Sequence, residues 1–279
     1  MATLQLRRRR TVLAAGLVTL AMAAGLAAVP AQAVDKTKYV ALGDSYAAGQ
    51  GAGPYLDDCY RSENTYSELA ADAKAIKLVS NSACSGKTTQ DVVNAQLRRL
   101  NKSTELVTIT AGGNNLKVGE IFTNCGAAMA NPAAAPQCDA ATAFAAAQIS
   151  SQNLFNDVTS MIQSVKAAAP NAKIVVTGYP YLYDPVAPNP ADPLSMFIYK
   201  AALLADGLNG SIAAAARVTK VQYVDVTAAF AGHGMLSTDD PWINLDPAHP
   251  SSPDNFHPNA EGYEAYFASL SAAGVYSAR

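Results

Sequence analysis

The chemistry-bearing candidates begin with one serine. Gly43-Asp44-Ser45-Tyr46 follows the apolar run Tyr39 to Leu42, so the Ser45 hydroxyl stands on the turn that leaves a strand. Gly-Asp-Ser alone is an ordinary turn sequence; catalysis would also require a base. The chain has three histidines, His233, His249 and His257, and two of them follow an aspartate by three residues, as Asp246-Pro-Ala-His249 and Asp254-Asn-Phe-His257. A carboxylate at that spacing can fold back onto the imidazole Nδ1–H and leave Nε2 free to accept a serine proton. Both pairs satisfy this logic. His257-Pro258-Asn259 leads into a helical segment, whereas Pro247 and Pro250 bracket His249. A neutral imidazole base would make turnover rise with pH through about 7, where histidine ordinarily titrates.

Two further loops offer hydrogen-bond donors. Ser82-Ala83-Cys84-Ser85-Gly86 contains a backbone N–H at Gly86 with no side chain in front of it, and Gly112-Gly113-Asn114-Asn115 contains the Asn114 amide. Acyl transfer needs such donors at the developing oxyanion, and one of them is worth about 10²–10³ in rate. Taken singly these are turn residues; a shared location at one sheet edge would make them a site. No Gly-x-Ser-x-Gly elbow occurs, which argues against the α/β-hydrolase arrangement.

The elements that must position these residues are legible as alternation. Short β-branched or apolar runs lie at Tyr39–Leu42, Ile76–Val79, Leu106–Ile109, Ile174–Val176 and Val221–Val226. Helical segments are expected at Tyr66–Ala75, Thr89–Leu100, Ala141–Ala169, Ser195–Val218 and Ala260–Leu270. Strands alternating with helices predict a parallel sheet covered on both faces, with sites beyond the carboxyl ends of its strands. Thr123–Asp139, rich in Ala, Asn and Pro, and Pro180–Pro193, with five prolines, read as long surface loops.

Arg7 to Arg10, the apolar Val12–Val29 and Ala31-Gln32-Ala33 have the order of a secretory signal peptide, residues 1–33. Residues 34–279 then form a single domain. Without Arg7 to Arg10 the mature chain has 16 basic and 22 acidic residues, a net charge of about −6, with no basic stripe for nucleic acid. Cys59, Cys84, Cys125 and Cys138 are an even set in an exported chain, which predicts two disulfides. Sequential pairing closes the shorter loops. Their spacing fits no zinc site.

Gly43-Asp44-Ser45, Gly86, Gly112-Gly113-Asn114 and Asp254-x-x-His257 together resemble, in order, the four sequence blocks of the SGNH/GDSL hydrolases. The resemblance is closest to the secreted, disulfide-bearing esterase, lipase and phospholipase A members. It implies a three-layer α/β/α, flavodoxin-like fold with a five-stranded parallel sheet. It also implies Ser45 as nucleophile, His257 as general acid/base, Asp254 as orienting carboxylate, and an oxyanion hole of the Ser45 and Gly86 N–H groups with the Asn114 side chain. It further implies a secreted esterase or lipase, with no cofactor and no metal, acting on a small-molecule or lipid ester. A monomer in transient contact with lipid interfaces is expected. One departure from the pattern is Asn115, where the family usually has Asp. A carbohydrate O-acetylesterase would use the same blocks, and the tyrosines at 179, 181 and 183 would suit a sugar; an inactive secreted binding protein is the reading from another class.

Overall fold

The computed structural model describes residues 35–72 and 75–277; the expected signal peptide lies outside them. Five strands, β1 (Thr37–Gly43), β2 (Ile76–Asn81), β3 (Leu106–Thr110), β4 (Lys173–Thr177) and β5 (Gln222–Val224), form one sheet in the order β2-β1-β3-β4-β5. Every pairing is parallel. β3, in the middle, is buried along its whole length, as a strand covered on both faces must be. This is the flavodoxin-like order, in which connections run outward in both directions from a switch point between β1 and β3.

Eight α-helices accompany the sheet among the described residues: α1 (Ser45–Ala48), α2 (Tyr66–Ala71), α3 (Thr89–Asp91), α4 (Val118–Ala130), α5 (Ala135–Ser150), α6 (Asn153–Ala168), α7 (Pro193–Thr219) and α8 (Ala260–Ala272). α2 packs on α8, while α6 packs on α5 and α7; these groups make the two outer layers of the α/β/α sandwich. None of the described helices is long and apolar enough to cross a membrane.

The core is rich in tyrosine. Tyr39, Tyr66, Tyr263 and Tyr266 are fully buried, and a buried phenol needs a partner for its hydroxyl. Tyr66 and Thr110 share a bond of 2.9 Å, Thr110 and Thr177 one of 2.7 Å, and Thr177 and Tyr266 one of 3.1 Å. This polar ladder crosses the carboxyl ends of β3 and β4 and ties them to α2 and α8.

Two expectations change. The segment 123–139 is not a surface loop: it holds the end of α4, a 3₁₀ turn at Pro132–Ala134 and the start of α5. Its prolines occupy first-turn positions, where the missing N–H costs nothing, so they start helices and do not break them. The long helical segment 141–169 is divided between α5 and α6 at Gln152, which is left-handed at φ 62°.

Both disulfides pair sequentially, Cys59–Cys84 and Cys125–Cys138, and no described cysteine is free. The first fastens the loop before α2 to the loop containing Gly86, where the Ser85 N–H also donates to the Cys59 carbonyl at 3.1 Å. The second closes the α4–α5 hairpin. Loops of this size contribute roughly 3 kcal/mol each in the chain-entropy model. Replacing Cys125 and Cys138 together by alanine is therefore expected to lower Tm by roughly 6–12 °C, at about 2–4 °C per kcal/mol for a chain of this length. Calorimetry of the oxidised protein checks this.

Candidate active site

β1 ends on Gly43 because no other residue fits there. Gly43 has φ +136°, and a Cβ on it would stand 2.0 Å from the Thr110 carbonyl oxygen of β3. The Asp44 N–H donates to that same carbonyl at 2.9 Å. Gln96 clasps Gly43 from the other side: its Oε1 accepts from the Gly43 N–H and its Nε2 donates to the Gly43 carbonyl, both at 2.8 Å. Gln96 closes a π-helical turn, Val92–Gln96, that follows α3, and such turns recur at functional sites. The expected regular helix over 89–100 is irregular for this reason.

Asp44 then caps α1, accepting from the Tyr46 N–H at 3.0 Å, and Ser45 is the first residue of that helix. An N–H at this position has no intrahelical acceptor, so it is available at the site. The Ser45 Oγ lies 2.8 Å from His257 Nε2. His257 reaches it through a sharp turn, with Phe256 left-handed at φ 67°, a conformation that costs of order 1–3 kcal/mol and persists where surroundings enforce it. Here they do: the Phe256 carbonyl accepts from the Tyr46 hydroxyl at 2.6 Å, its N–H donates to the Asn244 carbonyl at 2.9 Å, and its ring stacks on Phe122 at 4.2 Å between centroids. Gly51 lets the loop after α1 pass behind the histidine, since a Cβ there would come within 2.8 Å of the His257 Cβ.

The orienting partner of His257 differs from the expectation. Its Nδ1 lies 2.9 Å from the Asn255 carbonyl oxygen, while the Asp254 carboxylate accepts from the Tyr55 hydroxyl. The turn at Phe256 brings the backbone of the i−2 residue to the ring and directs the Asp254 side chain to the preceding loop. Asp254 still acts on the ring as a nearby negative charge. Burial outweighs these contributions and pushes the His257 pKa from 6.5 down to about 4, so the ring is neutral at neutral pH and able to accept a proton. His249 does pair with Asp246, at 2.8 Å, but on the exposed surface.

Ser45, Gly86, Asn114 and His257 line one cavity of about 700 Å³. Asn114 donates to the Lys87 carbonyl at 3.0 Å, which leaves its second amide hydrogen for another acceptor. Asn115 supports the loop: it accepts from the Thr89 N–H at 3.0 Å and donates to Thr89 Oγ1 at 2.8 Å and Asp157 Oδ2 at 3.1 Å. An Asp in its place would set a carboxylate against Asp157, which explains the amide here. The rest of the cavity is largely apolar, walled by the α4–α5 hairpin on one side and by α7 with the 181–183 loop on the other. Leu116, Ile121, Phe122, Met196, Phe197 and Leu208 line it.

Three contributors have roles that the sequence does not signal. Gln96 and Tyr55 are single polar residues whose partners lie far along the chain. The third is Asp44, which sits fully buried beneath the serine; burial raises its pKa from 3.8 to about 7 against the hydrogen bonds from Tyr179 and Tyr46 that lower it. The tyrosines of this loop have partners within the protein: Tyr179 is buried with its hydroxyl on Asp44, the Tyr181 hydroxyl donates to Asp206, and Tyr183 meets Phe197 edge-on. Among the described residues no group of three or more potential metal-binding side chains gathers.

The GDSL-like lipase/acylhydrolase family matches residues 41–265. A lipase of Streptomyces rimosus is 35% identical over 266 residues, spanning 93% of this chain and 95% of that protein. Two crystal structures are similar at 34% identity. The extracellular lipase from Streptomyces rimosus has a TM-score of 0.74, covering 85% of this chain and 99% of that one. Phospholipase A1 from Streptomyces albidoflavus NA297 has a TM-score of 0.73, again covering 85% of this chain and 99% of that one. With the match running from the first strand into the last helix, the chain belongs to the GDSL-like lipase/acylhydrolase family, the SGNH/GDSL hydrolases, and is a carboxylic ester hydrolase.

Proposed function

We propose that this enzyme is a secreted lipase that hydrolyses long-chain acyl esters through a Ser45 acyl-enzyme. The observation that carries the reading is the 2.8 Å contact between Ser45 Oγ and His257 Nε2 in the wall of a large apolar cavity. Ser45 Oγ attacks the ester carbonyl as His257 Nε2 takes its proton. The tetrahedral oxyanion is received by the N–H groups of Ser45 and Gly86 and the free amide hydrogen of Asn114. Collapse of the intermediate expels the alcohol, which takes the proton from Nε2. Water then repeats the sequence on the acyl-enzyme and releases the acid. The Asn255 carbonyl holds Nδ1–H and fixes the tautomer, and the Asp254 charge favours the imidazolium that forms.

The cavity volume supports a long acyl chain. A methylene-sized group occupies roughly 30 Å³, the share of one water in the liquid, so about 700 Å³ exceeds the needs of an acetyl group many times over. Apolar walls left wet by a short acyl group would contribute nothing to binding, which disfavours the carbohydrate O-acetylesterase reading. Export through residues 1–33 is supported by the two disulfides and by the extracellular relative.

Two sets of outcomes test this. On p-nitrophenyl esters, kcat/KM should rise from acetate towards decanoate, by at most about fourfold per methylene, the equivalent of roughly 0.8 kcal/mol of buried surface. A series that peaks at acetate returns the acetylesterase reading. Ser45→Ala and His257→Ala should each lower kcat by about 10⁴–10⁶-fold, and Asn114→Ala by about 10²–10³-fold, while His249→Ala stays within a few-fold. Asp254→Asn should keep about a tenth or more of the wild-type rate, because the backbone carbonyl remains on Nδ1. If His249→Ala is dead and His257→Ala active, the base has been misassigned.

A further inference from the structure

Tyr179 ends the Gly178-Tyr179 step that follows β4, and its backbone is clamped on both sides by one side chain of α7. The Tyr179 N–H donates to Asn209 Oδ1 at 2.8 Å, and Asn209 Nδ2 donates to the Tyr179 carbonyl at 2.9 Å. So fixed, the phenol points beneath the catalytic edge. Its hydroxyl donates to Asp44 Oδ2 at 2.5 Å and accepts from the Gly113 N–H at 3.2 Å. Its ring meets Tyr46 edge-on at 5.1 Å between centroids. Asp44 immediately precedes Ser45, and Gly113 immediately precedes Asn114. One hydroxyl therefore bridges the backbone that bears the nucleophile and the backbone that bears the side-chain oxyanion donor.

Accepting the Ser45 mechanism above, we propose that Tyr179 is a positioning residue for ester hydrolysis: its hydroxyl locks the Ser45 turn, through the Asp44 carboxylate, to the Asn114 loop, through the Gly113 N–H. A displacement of about 1 Å between reacting groups can cost about 10²-fold in rate, and this bridge, beside the Asp44 N–H bond to the Thr110 carbonyl, holds that separation.

The bridge is strongest with Asp44 ionised. Both of its oxygens accept, one from the Tyr46 N–H and one from the Tyr179 hydroxyl; a proton on Oδ2 reverses the bond to Tyr179, so that the phenol oxygen must accept from both the carboxyl and the Gly113 N–H, and it removes the charge that strengthens the bridge. The groups facing Asp44 are the phenols of Tyr46 on α1, Tyr66 on α2, Tyr179, and Tyr263 and Tyr266 on α8, all with raised pKa values and therefore neutral. No cation contributes to its shift, and burial takes it to about 7. The rate should consequently fall as pH drops through about 7, well above the range in which His257 takes up a proton.

The test compares wild type, Tyr179→Phe and Asp44→Asn over the pH range from about 5 to 9, with the stoichiometry of fluorophosphonate labelling at Ser45 as a count of intact sites. Wild type should show an acid limb in kcat centred near 7. Tyr179→Phe keeps the ring and its packing; it should label fully at Ser45, lose about tenfold or more in kcat at high pH, and keep KM within about threefold. Its acid limb should move to higher pH, because Asp44 has lost the hydrogen bond that lowers its pKa most. Asp44→Asn should have a low kcat with no limb near 7, and it carries the test if Tyr179→Phe does not fold. The proposal is overturned if Tyr179→Phe keeps kcat within about twofold, if its limb does not move, or if Asp44→Asn turns over like wild type. Label on a residue other than Ser45 would instead refute the mechanism on which the proposal rests.

Discussion

The close approach of β1 and β3 at their carboxyl ends is the constraint on which the site depends. Gly43 and Thr110 are the last paired residues of the two strands, and only the absence of a side chain at 43 lets the Thr110 carbonyl reach both Gly43 and the Asp44 N–H. Because the connections diverge from this pair of strands, the segments that leave them open a crevice between Ser45 and the 112–115 loop. Gln96, Asp44 and Tyr179 fill the space beneath that crevice, and each is held by hydrogen bonds to backbone within two residues of a candidate catalytic group. An alanine at 43 would drive the two strand ends apart and disturb Ser45 and the 112–115 loop together.

Burial tunes the site in two opposing directions. His257 has its pKa lowered from 6.5 to about 4, so the folded protein binds fewer protons than the unfolded chain in that interval, and the histidine's contribution to stability is lost as pH falls through it. Asp44 has its pKa raised from 3.8 to about 7, so the folded protein binds more protons there, and its contribution to stability is lost as pH rises through nearly the same interval. The fold thus holds a buried carboxyl group beneath the serine, half ionised near pH 7, where the His257 imidazole is neutral. Such a charge persists only where hydrogen bonds compensate it, and the bonds from Tyr46 and Tyr179 supply that compensation.

Much of this architecture was readable in the sequence, and the divisions follow the range of the interactions. All five strands emerge within a few residues of their expected positions, because buried parallel strands declare themselves as short β-branched runs. The Ser45, Gly86, Asn114 and His257 positions come from four short blocks, and the fold brings all four to one cavity. The helices of 118–150 were obscured by prolines whose effect depends on whether they begin or interrupt a turn. Asp254 shows the limit of spacing as a guide. An aspartate three residues before a histidine can reach the ring, but the left-handed turn at Phe256 gives the Asn255 carbonyl that place and leaves the carboxylate to Tyr55. Nothing in its own neighbourhood marks Gln96, and the tyrosine run marks Tyr179 only for a sugar; the partners that define their roles are 53 and 135 residues away in the chain.

In the proposed mechanism Ser45 attacks while three donors, the Ser45 and Gly86 N–H groups and the Asn114 amide, receive the oxyanion, with His257 held by backbone. A crystal structure of the enzyme inactivated by an alkyl phosphonate tests it most directly, because the tetrahedral phosphorus reproduces the geometry of the intermediate. Phosphorus should be bonded to Ser45 Oγ, with the phosphoryl oxygen within about 2.7–3.1 Å of all three donors. His257 Nδ1 should remain on the Asn255 carbonyl, and the alkyl chain should lie between the α4–α5 hairpin and α7. A phosphoryl oxygen turned away from Gly86 and Asn114, or Asp254 rotated onto Nδ1 in place of the carbonyl, would contradict it.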